Sequence, residues 1–197
     1  VDSEHISTGI LLQMAAELGV NISISFAVKH FSGKSLQSCL NYIERLAKNG
    51  LPDTFEQEYR KRTFQVFKKE IKPVDGIPEL LNQIKMPFCV ASSGPTEKII
   101  LNLTATNLIQ KFEGNIFSAY EIGSWKPNPD IFLYAAEKMG FKPNECVVIE
   151  DSIAGVQAAR RGQFDVYAYT GIENKFEFEE EGAIVFHAME NLLELLR

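Results

Sequence analysis

Short apolar runs alternate with helical segments in the second part of the chain, and this alternation limits the possible folds more than any other feature. The runs at residues 87–91 and 146–149 are bounded by turn residues, which is typical of strands buried on both faces of a parallel sheet. Further short strands are predicted at 115–118, 164–169 and 183–186. Strands separated by helices of about ten residues predict an α/β fold with a doubly wound parallel sheet.

The first part of the chain has a different pattern. Its apolar residues recur at helical spacing, and there is no sustained β-type alternation. Helices are predicted at 6–18, 25–30, 35–48 and 55–71. We therefore predict an all-helical unit at residues 3–72 and an α/β core at residues 73–197, to which residues 1–2 also belong.

Charge and composition argue against several classes of partner. The net charge is −6 and the cationic residues are scattered, whereas nucleic-acid surfaces need clustered cations. No apolar run reaches the roughly 18 residues of a membrane span. Cys39, Cys89 and Cys146 are far apart and lack metal-type spacing. They are predicted to be reduced, buried thiols of a cytoplasmic protein, and we expect a monomer without nucleic-acid or membrane partners.

Polar residues follow both apolar runs, at the point where each predicted strand ends. Ligands of open parallel sheets bind outside the carboxyl ends of the strands, so these residues are candidates for a common site. The set comprises Ser92, Ser93 and Gly94 after the first run, Lys126 in the loop between the runs, and Glu150 and Asp151 after the second run.

The residue types in this set suit phosphate chemistry. Adjacent carboxylates supply the hard oxygen ligands that Mg²⁺ prefers. A serine hydroxyl and backbone N–H groups at the start of a helix can hold phosphate oxygens. A fixed lysine supplies the positive charge on which phosphoryl transfer depends.

Each element of the set also has a structural interpretation. The segment 92–95 is compatible with a simple turn that begins a helix, and Lys126 with a solvated loop lysine. The acidic pair at 150–151 is compatible with the negatively charged start of the next helix. The segment 31–35 suggests a nucleotide-binding P-loop, but Val28 stands where that pattern requires glycine, so this hypothesis fails.

The order of the segments resembles the haloacid dehalogenase superfamily. V-A-S-S at 90–93, W-K-P-N-P at 125–129 and V-V-I-E-D-S-I-A-G at 147–155 are similar to its second, third and fourth motifs. V-D-S-E at 1–4 is similar to the end of its first motif, D-x-D-G-T-L-V-D-S-E. The helical unit resembles the cap of the β-phosphoglucomutase-like subgroup, and the resemblance spans nearly the whole chain.

The resemblance implies a role for each candidate residue. Ser92 would bind the phosphoryl oxygens with Ser93 and Gly94, and Lys126 would neutralise the phosphoaspartate. Glu150 and Asp151 would hold Mg²⁺. Lys34, in a cap loop that faces the site in this family, would bind a distal anionic group of the substrate.

The nucleophile and the acid/base of the family are the two aspartates of D-x-D, which would fall upstream of Val1. The chain as printed would then be inactive by itself. The function implied is a Mg²⁺-dependent phosphatase of a small phosphorylated metabolite, a sugar phosphate or sugar-acid phosphate, that works through an aspartyl-phosphate intermediate. The alternatives are a β-phosphoglucomutase-type phosphosugar mutase and a catalytically inactive phosphate-binding homologue.

Overall fold

A computed structural model describes residues 1, 3–31, 34–171 and 175–196. Four helices form the first part of the chain, which we call the helical region (residues 4–70). They are α1 (Glu4–Glu17), α2 (Ile24–Phe31), α3 (Leu36–Leu46) and α4 (Phe55–Glu70).

Local signals in the sequence explain where these helices begin and end. Ser35 is the N-cap of α3, and its hydroxyl accepts a hydrogen bond from the Ser38 backbone N–H. Gly19 follows α1 with φ of 80°, a left-handed conformation that glycine adopts without strain. The four helices share a core that includes Leu11, Leu40 and Ile43. Burial of this apolar face, more than helix propensity, stabilises the region.

All strands of the described residues lie in the second part of the chain, which we call the α/β region (residues 77–196). The strands are β1 (Val90–Ser92), β2 (Ile116–Ser118), β3 (Val147–Glu150), β4 (Asp165–Tyr169) and β5 (Ile184–Phe186). The helices are α5 (Ile77–Gln83), α6 (Thr96–Ala105), α7 (Ala119–Ile122), α8 (Asp130–Met139), α9 (Ile153–Arg161), α10 (Lys175–Glu180) and α11 (Met189–Leu195). Two short 3₁₀ helices, Ile109–Phe112 and Pro143–Glu145, complete the region.

Every strand pair is parallel, which confirms the predicted α/β fold. β1 pairs with β2, and β4 lies between β3 and β5. The two-stranded sheet of β1 and β2 and the three-stranded sheet of β3, β4 and β5 share one apolar core, to which β2 contributes Phe117 and β3 contributes Val148. Within the described part of the chain, β1 and β3 each have a strand partner on one side only.

The prediction that the first and third strands are buried on both faces is wrong. All three residues of β1 are half-buried, and Ile149 of β3 is 39% exposed. An apolar run predicts that a strand is buried, but it does not show which faces of the strand other elements cover. Packing decides whether each face is covered, and the described residues leave one face of Ile149 uncovered.

The prediction that all three cysteines are buried is correct for one of them and wrong for two. All three thiols are free, but only Cys39 is buried, and Cys89 and Cys146 are half-buried. Both lie just before strands that have a partner on one side only, which explains the difference. Burial raises the pKa of Cys39 and that of Cys89 to about 11, so neither is a ready nucleophile.

Among the described residues, no helix has both the length and the apolar character needed to cross a membrane. The fold does not test the expected monomeric state or the cytoplasmic location, and both stay predictions.

Candidate active site

A cavity of about 480 Å³ lies where the helical region meets the carboxyl ends of β1 and β3. Seven residues predicted from the sequence line it: Ser92, Ser93, Gly94, Lys126, Glu150 and Asp151 from the α/β region, and Lys34 from the helical region. They converge because the carboxyl ends of parallel strands meet at one edge of a sheet.

Three hydrogen bonds hold the loop after β1. The Ser92 Oγ accepts one from the Gly94 N–H at 3.1 Å, and the Ser118 hydroxyl donates one to the Gly94 carbonyl at 2.7 Å. The Trp125 indole N–H donates to the Ser93 carbonyl at 3.2 Å. Because the Ser92 Oγ is already an acceptor for Gly94, its own O–H remains able to donate to a ligand.

A buried ion pair joins two of the predicted residues. The Lys126 ammonium pairs with the Glu150 carboxylate, and their side chains are only 9% and 6% exposed. The ammonium also lies 4.7 Å from the centroid of the Phe132 ring. A cation and an anion that are both removed from water are kept in place strongly, because separating them would leave a buried charge uncompensated.

Glu150 has further partners at the start of α9. One carboxylate oxygen accepts hydrogen bonds from the Ser152 hydroxyl at 2.9 Å and from the backbone N–H groups of Asp151 and Ser152, each at 3.1 Å. Burial acts to raise the pKa of Glu150, but the Lys126 charge and these hydrogen bonds outweigh it, and the pKa is lowered.

Gly155 makes this position of Glu150 possible. A Cβ atom at residue 155 would overlap the Glu150 carboxylate, so any larger residue would force it to move. The Ser152 hydroxyl oxygen accepts a hydrogen bond from the Gly155 N–H at 3.1 Å, which links the start of α9 to the same cluster.

Asp151 differs from its neighbour. Its side chain is exposed to the cavity, and no ion pair to it is found among the described residues. The protein around Asp151 removes part of the water that would stabilise its charge, and this is the main reason that its pKa is raised to about 6. The negative charges of Glu150 and Glu4 raise the pKa further. A cation at this position would relieve that repulsion, so Asp151 suits a hard metal ion such as Mg²⁺.

The metal site is incomplete in the residues that the structure describes. They contain no cluster of three or more histidine, cysteine or acidic residues able to hold a metal. Mg²⁺ in proteins is often bound by only one or two carboxylates together with water and phosphate oxygens. Asp151 and its neighbour Glu150 therefore fit this donor set in kind, although Glu150 is engaged by Lys126.

Lys34 lies apart from the strand ends. It is exposed and lines the cavity from the segment between α2 and α3. Ser32 and Gly33, which precede Lys34 in the same segment, lie outside the described residues, as does Asp2.

The structure adds Lys98 and Asn102 of α6, which the sequence analysis missed. They stand one helical turn apart and both line the cavity, and we call this pair the helix wall. A lysine and an asparagine four residues apart are common on solvated helices, so the only available signal was their position in the helix that follows Ser92.

Arg60 was also missed, and it bridges the two regions. Its guanidinium donates to Glu56 within α4 at 2.6 Å and to the Tyr120 hydroxyl of the α/β region at 3.4 Å. It lies 5.9 Å from the centroid of the Tyr120 ring. The Tyr120 ring in turn packs edge-on against Trp125, so Arg60 connects the helical region to the loop that carries Lys126.

Comparison with known proteins identifies the family. Residues 1–163 match the model of the haloacid dehalogenase-like hydrolases. The chain belongs to this family. One relative is 6-phosphogluconate phosphatase of Escherichia coli K12, which is 29% identical over 170 residues that cover 86% of this chain and 77% of the relative. Phosphatases among the relatives indicate an enzyme that hydrolyses phosphoric monoesters.

Solved structures agree with this family. A haloacid dehalogenase-like protein of unknown function from Agrobacterium tumefaciens superposes with a TM-score of 0.83 at 28% identity, over 99% of this chain and 91% of that chain. A candidate β-phosphoglucomutase from Thermotoga maritima has a TM-score of 0.76 at 22% identity, over 99% of this chain and 92% of that chain, and shares the fold.

Proposed function

We propose that the protein is a Mg²⁺-dependent phosphatase of a small phosphorylated metabolite, a sugar phosphate or a sugar-acid phosphate. The observation that carries the proposal is the convergence of Ser92, Lys126 and Asp151 on one cavity. Membership of a hydrolase family supports it, as do two relatives that are phosphatases of 6-phosphogluconate and of phosphorylated carbohydrates.

In this proposal the loop after β1 and Lys126 hold the phosphoryl group. The Ser92 hydroxyl donates to a non-bridging oxygen, and Ser93 and Gly94 shape the loop around it. The Lys126 ammonium has three donors, of which the ion pair with Glu150 uses one, so it can also face the charge that develops on the phosphoryl oxygens.

Asp151 would hold Mg²⁺ directly, and Glu150 would complete the acidic side of the site. When bound, Mg²⁺ would neutralise phosphoryl oxygens in the transition state. The buried hydrogen bonds of Glu150 keep the start of α9 in position, so the Asp151 carboxylate is presented to the cavity without rearrangement.

The nucleophile in this proposal is an aspartate in a segment upstream of Val1. It would attack phosphorus and form an aspartyl-phosphate that water then hydrolyses. Two observations are compatible with such a segment. Val1 lines the cavity, and β1 and β3 share a core while each retains an edge without a strand partner among the described residues. A strand placed there would satisfy their backbone groups.

We further propose that the helical region acts as a cap over the site. It contributes Phe31, Lys34 and Arg60 to the cavity lining, so its position controls access of water and substrate. Lys34, at the exposed margin of the cavity, would contact an anionic substrate as the cap closes.

Phosphate release is the direct test. The natural protein, including any residues that precede Val1, is assayed with sugar phosphates and sugar-acid phosphates, with Mg²⁺ and with a chelator. We expect Mg²⁺-dependent release that Asp151→Ala and Ser92→Ala each reduce by about 100-fold or more. Absence of release, or full activity of Asp151→Ala, would contradict the proposal. A requirement for a bisphosphorylated activator without net release would indicate a mutase.

A further inference from the structure

Arg60 is fixed to the helical region. Its Nε and Nη2 groups both donate to the same Glu56 carboxylate oxygen, one turn earlier in α4, at 2.9 and 2.6 Å. The Nη2 group also donates to the Tyr120 hydroxyl of α7 at 3.4 Å. Because Glu56 holds the guanidinium on α4, the distance between Arg60 and Tyr120 changes whenever the helical region moves relative to the α/β region.

Tyr120 is connected to the loop after β1 by two routes. Its backbone N–H donates to the Ser118 hydroxyl at 3.2 Å, and that hydroxyl donates to the Gly94 carbonyl at 2.7 Å. Its ring packs edge-on against Trp125 with the ring centroids 5.3 Å apart, and the Trp125 indole N–H donates to the Ser93 carbonyl at 3.2 Å. A displacement of Tyr120 therefore reaches this loop through its main chain and through its side chain.

The contacts along this path differ in strength. Ser118 is fully buried, and its hydrogen bond to Gly94 is short. The Tyr120 ring is 41% exposed, the hydrogen bond from Arg60 is long, and the guanidinium lies 5.9 Å from the ring centroid. Long hydrogen bonds and cation–π contacts at exposed sites are weak. The contact between the two regions can therefore form and break during turnover, while the contacts within the α/β region keep Tyr120 and the loop together.

From these contacts we infer that Arg60 is a positioning residue, which couples closure of the helical region to the groups that hold the phosphoryl group. When Arg60 reaches Tyr120, the Tyr120 ring holds Trp125 in place. The Trp125 indole then fixes the Ser93 carbonyl, and the next residue along the chain is Lys126. Loss of Arg60 should thus lower the rate of phosphoryl transfer more than the affinity for substrate. The inference rests on the proposed function and adds to it a residue of the cap that acts without touching the substrate.

Steady-state kinetics of Arg60→Met test this role. The natural protein, including any residues that precede Val1, is assayed with Mg²⁺ and the sugar phosphate that the wild type hydrolyses fastest. We expect kcat to fall about tenfold or more, while KM stays within about threefold. Tyr120→Phe, which keeps the ring and removes only the hydroxyl, should lower kcat by about threefold. In a Tyr120→Ala background, Arg60→Met should cause little further loss, because the two side chains act through one contact.

Fluorescence of Trp125 supplies a reading that a role of Arg60 confined to the helical region would not change. Trp125 is the only tryptophan of the printed chain, and emission from any other tryptophan is measured in Trp125→Phe and subtracted. In Arg60→Met the emission should shift to longer wavelength, because the Tyr120 ring loses its contact and water reaches the half-buried indole. The affinity for inorganic phosphate with Mg²⁺, measured by calorimetry, should stay within about threefold.

Arg62→Met is the matched control. Arg62 also lies on α4, but it pairs with Glu17 and Glu58, both in the helical region. Its loss should leave kcat within about twofold and the emission of Trp125 unchanged. If Arg60→Met does not fold, Tyr120→Phe tests the same contact from the α/β region.

The outcomes separate this inference from the proposed function. If the wild type releases no phosphate from any sugar phosphate or sugar-acid phosphate, the proposed function fails and the inference fails with it. If the wild type is active but Arg60→Met keeps kcat within about twofold, or Arg62→Met lowers kcat equally, only the inference is overturned. A rise in KM with unchanged kcat and unchanged emission would show that Arg60 binds the substrate directly, and would also overturn it.

Discussion

The polar groups of the strand ends and those of the helix wall differ in whether the protein itself supplies their partners. At the strand ends Lys126, Glu150 and Ser152 satisfy one another through a buried ion pair and hydrogen bonds. On the helix wall Lys98 and Asn102 have no such partners among the described residues. The polar groups at the strand ends are thus satisfied within the protein, whereas the Asn102 Oδ1 is not satisfied by any described residue.

The same difference separates two adjacent residues. The Glu150 carboxylate is buried and its pKa is lowered, whereas Asp151 is exposed to the cavity and its pKa is raised to about 6. The two consecutive residues thus direct one carboxylate into the protein and the next into the cavity. Mutations that remove the partners of Glu150 should therefore lower the free energy of unfolding. Mutations of Asp151 or Asn102, whose polar groups lack such partners among the described residues, should leave it unchanged or raise it.

The largest effect is expected from Lys126→Met. This change leaves Glu150 as an uncompensated buried charge and should lower the free energy of unfolding by about 3–5 kcal/mol at pH 8. Denaturant unfolding measures it. Glu150 has a lowered pKa in the wild type, so its contribution is present above pH 4.5 and disappears as the pH falls through the lowered value. The difference between variant and wild type should therefore shrink towards pH 4.

The double variant Lys126→Met with Glu150→Gln is the control for this interpretation. It removes the charge that the single variant strands, so it should recover most of the lost stability. A loss below about 1 kcal/mol in the single variant would show that water already screens the pair.

A smaller loss, about 1–3 kcal/mol, is expected from Gly155→Ala, because the new methyl group displaces the Glu150 carboxylate. Gly9→Ala is the matched control. Gly9 also lies inside a helix but has no atom within 4 Å of the added Cβ, so that variant should gain about 0.5–1 kcal/mol. Equal effects in thermal unfolding of the two variants would contradict the role assigned to Gly155.

Asp151→Asn should stabilise the metal-free protein by about 1 kcal/mol at pH 8, a value reduced to allow for solvent in the cavity. Because the pKa of Asp151 is raised, the wild type loses stability as the pH rises from about 4 through 6. The gain should therefore be small at pH 4 and complete by pH 8. Mg²⁺ should raise the melting temperature of the wild type but not of the variant.

Asp53→Asn is the control, because it changes the net charge by the same amount at an exposed turn. It should neither gain stability nor lose the rise in melting temperature that Mg²⁺ causes. If both variants respond alike to Mg²⁺, the metal is not held by Asp151.

The smallest effect is expected from Asn102→Leu in the absence of ligand. Removing an unsatisfied buried polar atom should leave the stability unchanged or raise it by up to about 1 kcal/mol, although most substitutions of buried residues destabilise. Asn41→Leu, on the exposed face of α3, should stay within about 0.5 kcal/mol of the wild type. A loss above about 1 kcal/mol for Asn102→Leu would show that Asn102 has a structural partner.

Helices and strands were largely predictable from the sequence because their signals are local. The helix predicted at 55–71 is Phe55–Glu70, and the strand predicted at 164–169 is Asp165–Tyr169. The convergence of Ser92, Lys126 and Asp151 followed from one topological rule, since parallel strands bring their carboxyl ends to the same edge.

The sequence by itself thus determined the order of the elements, the parallel sheet and the residues that gather at the strand ends. The tertiary structure alone decided that Ile149 is exposed, that Glu150 pairs with Lys126 while Asp151 faces the cavity, and that Lys98 and Asn102 form a second wall. The periodicity that predicts a strand or a helix depends on neighbours only two to four residues away. Lys126 and Glu150, however, are 24 residues apart, and the surroundings of Lys98 depend on how α4 packs against α6.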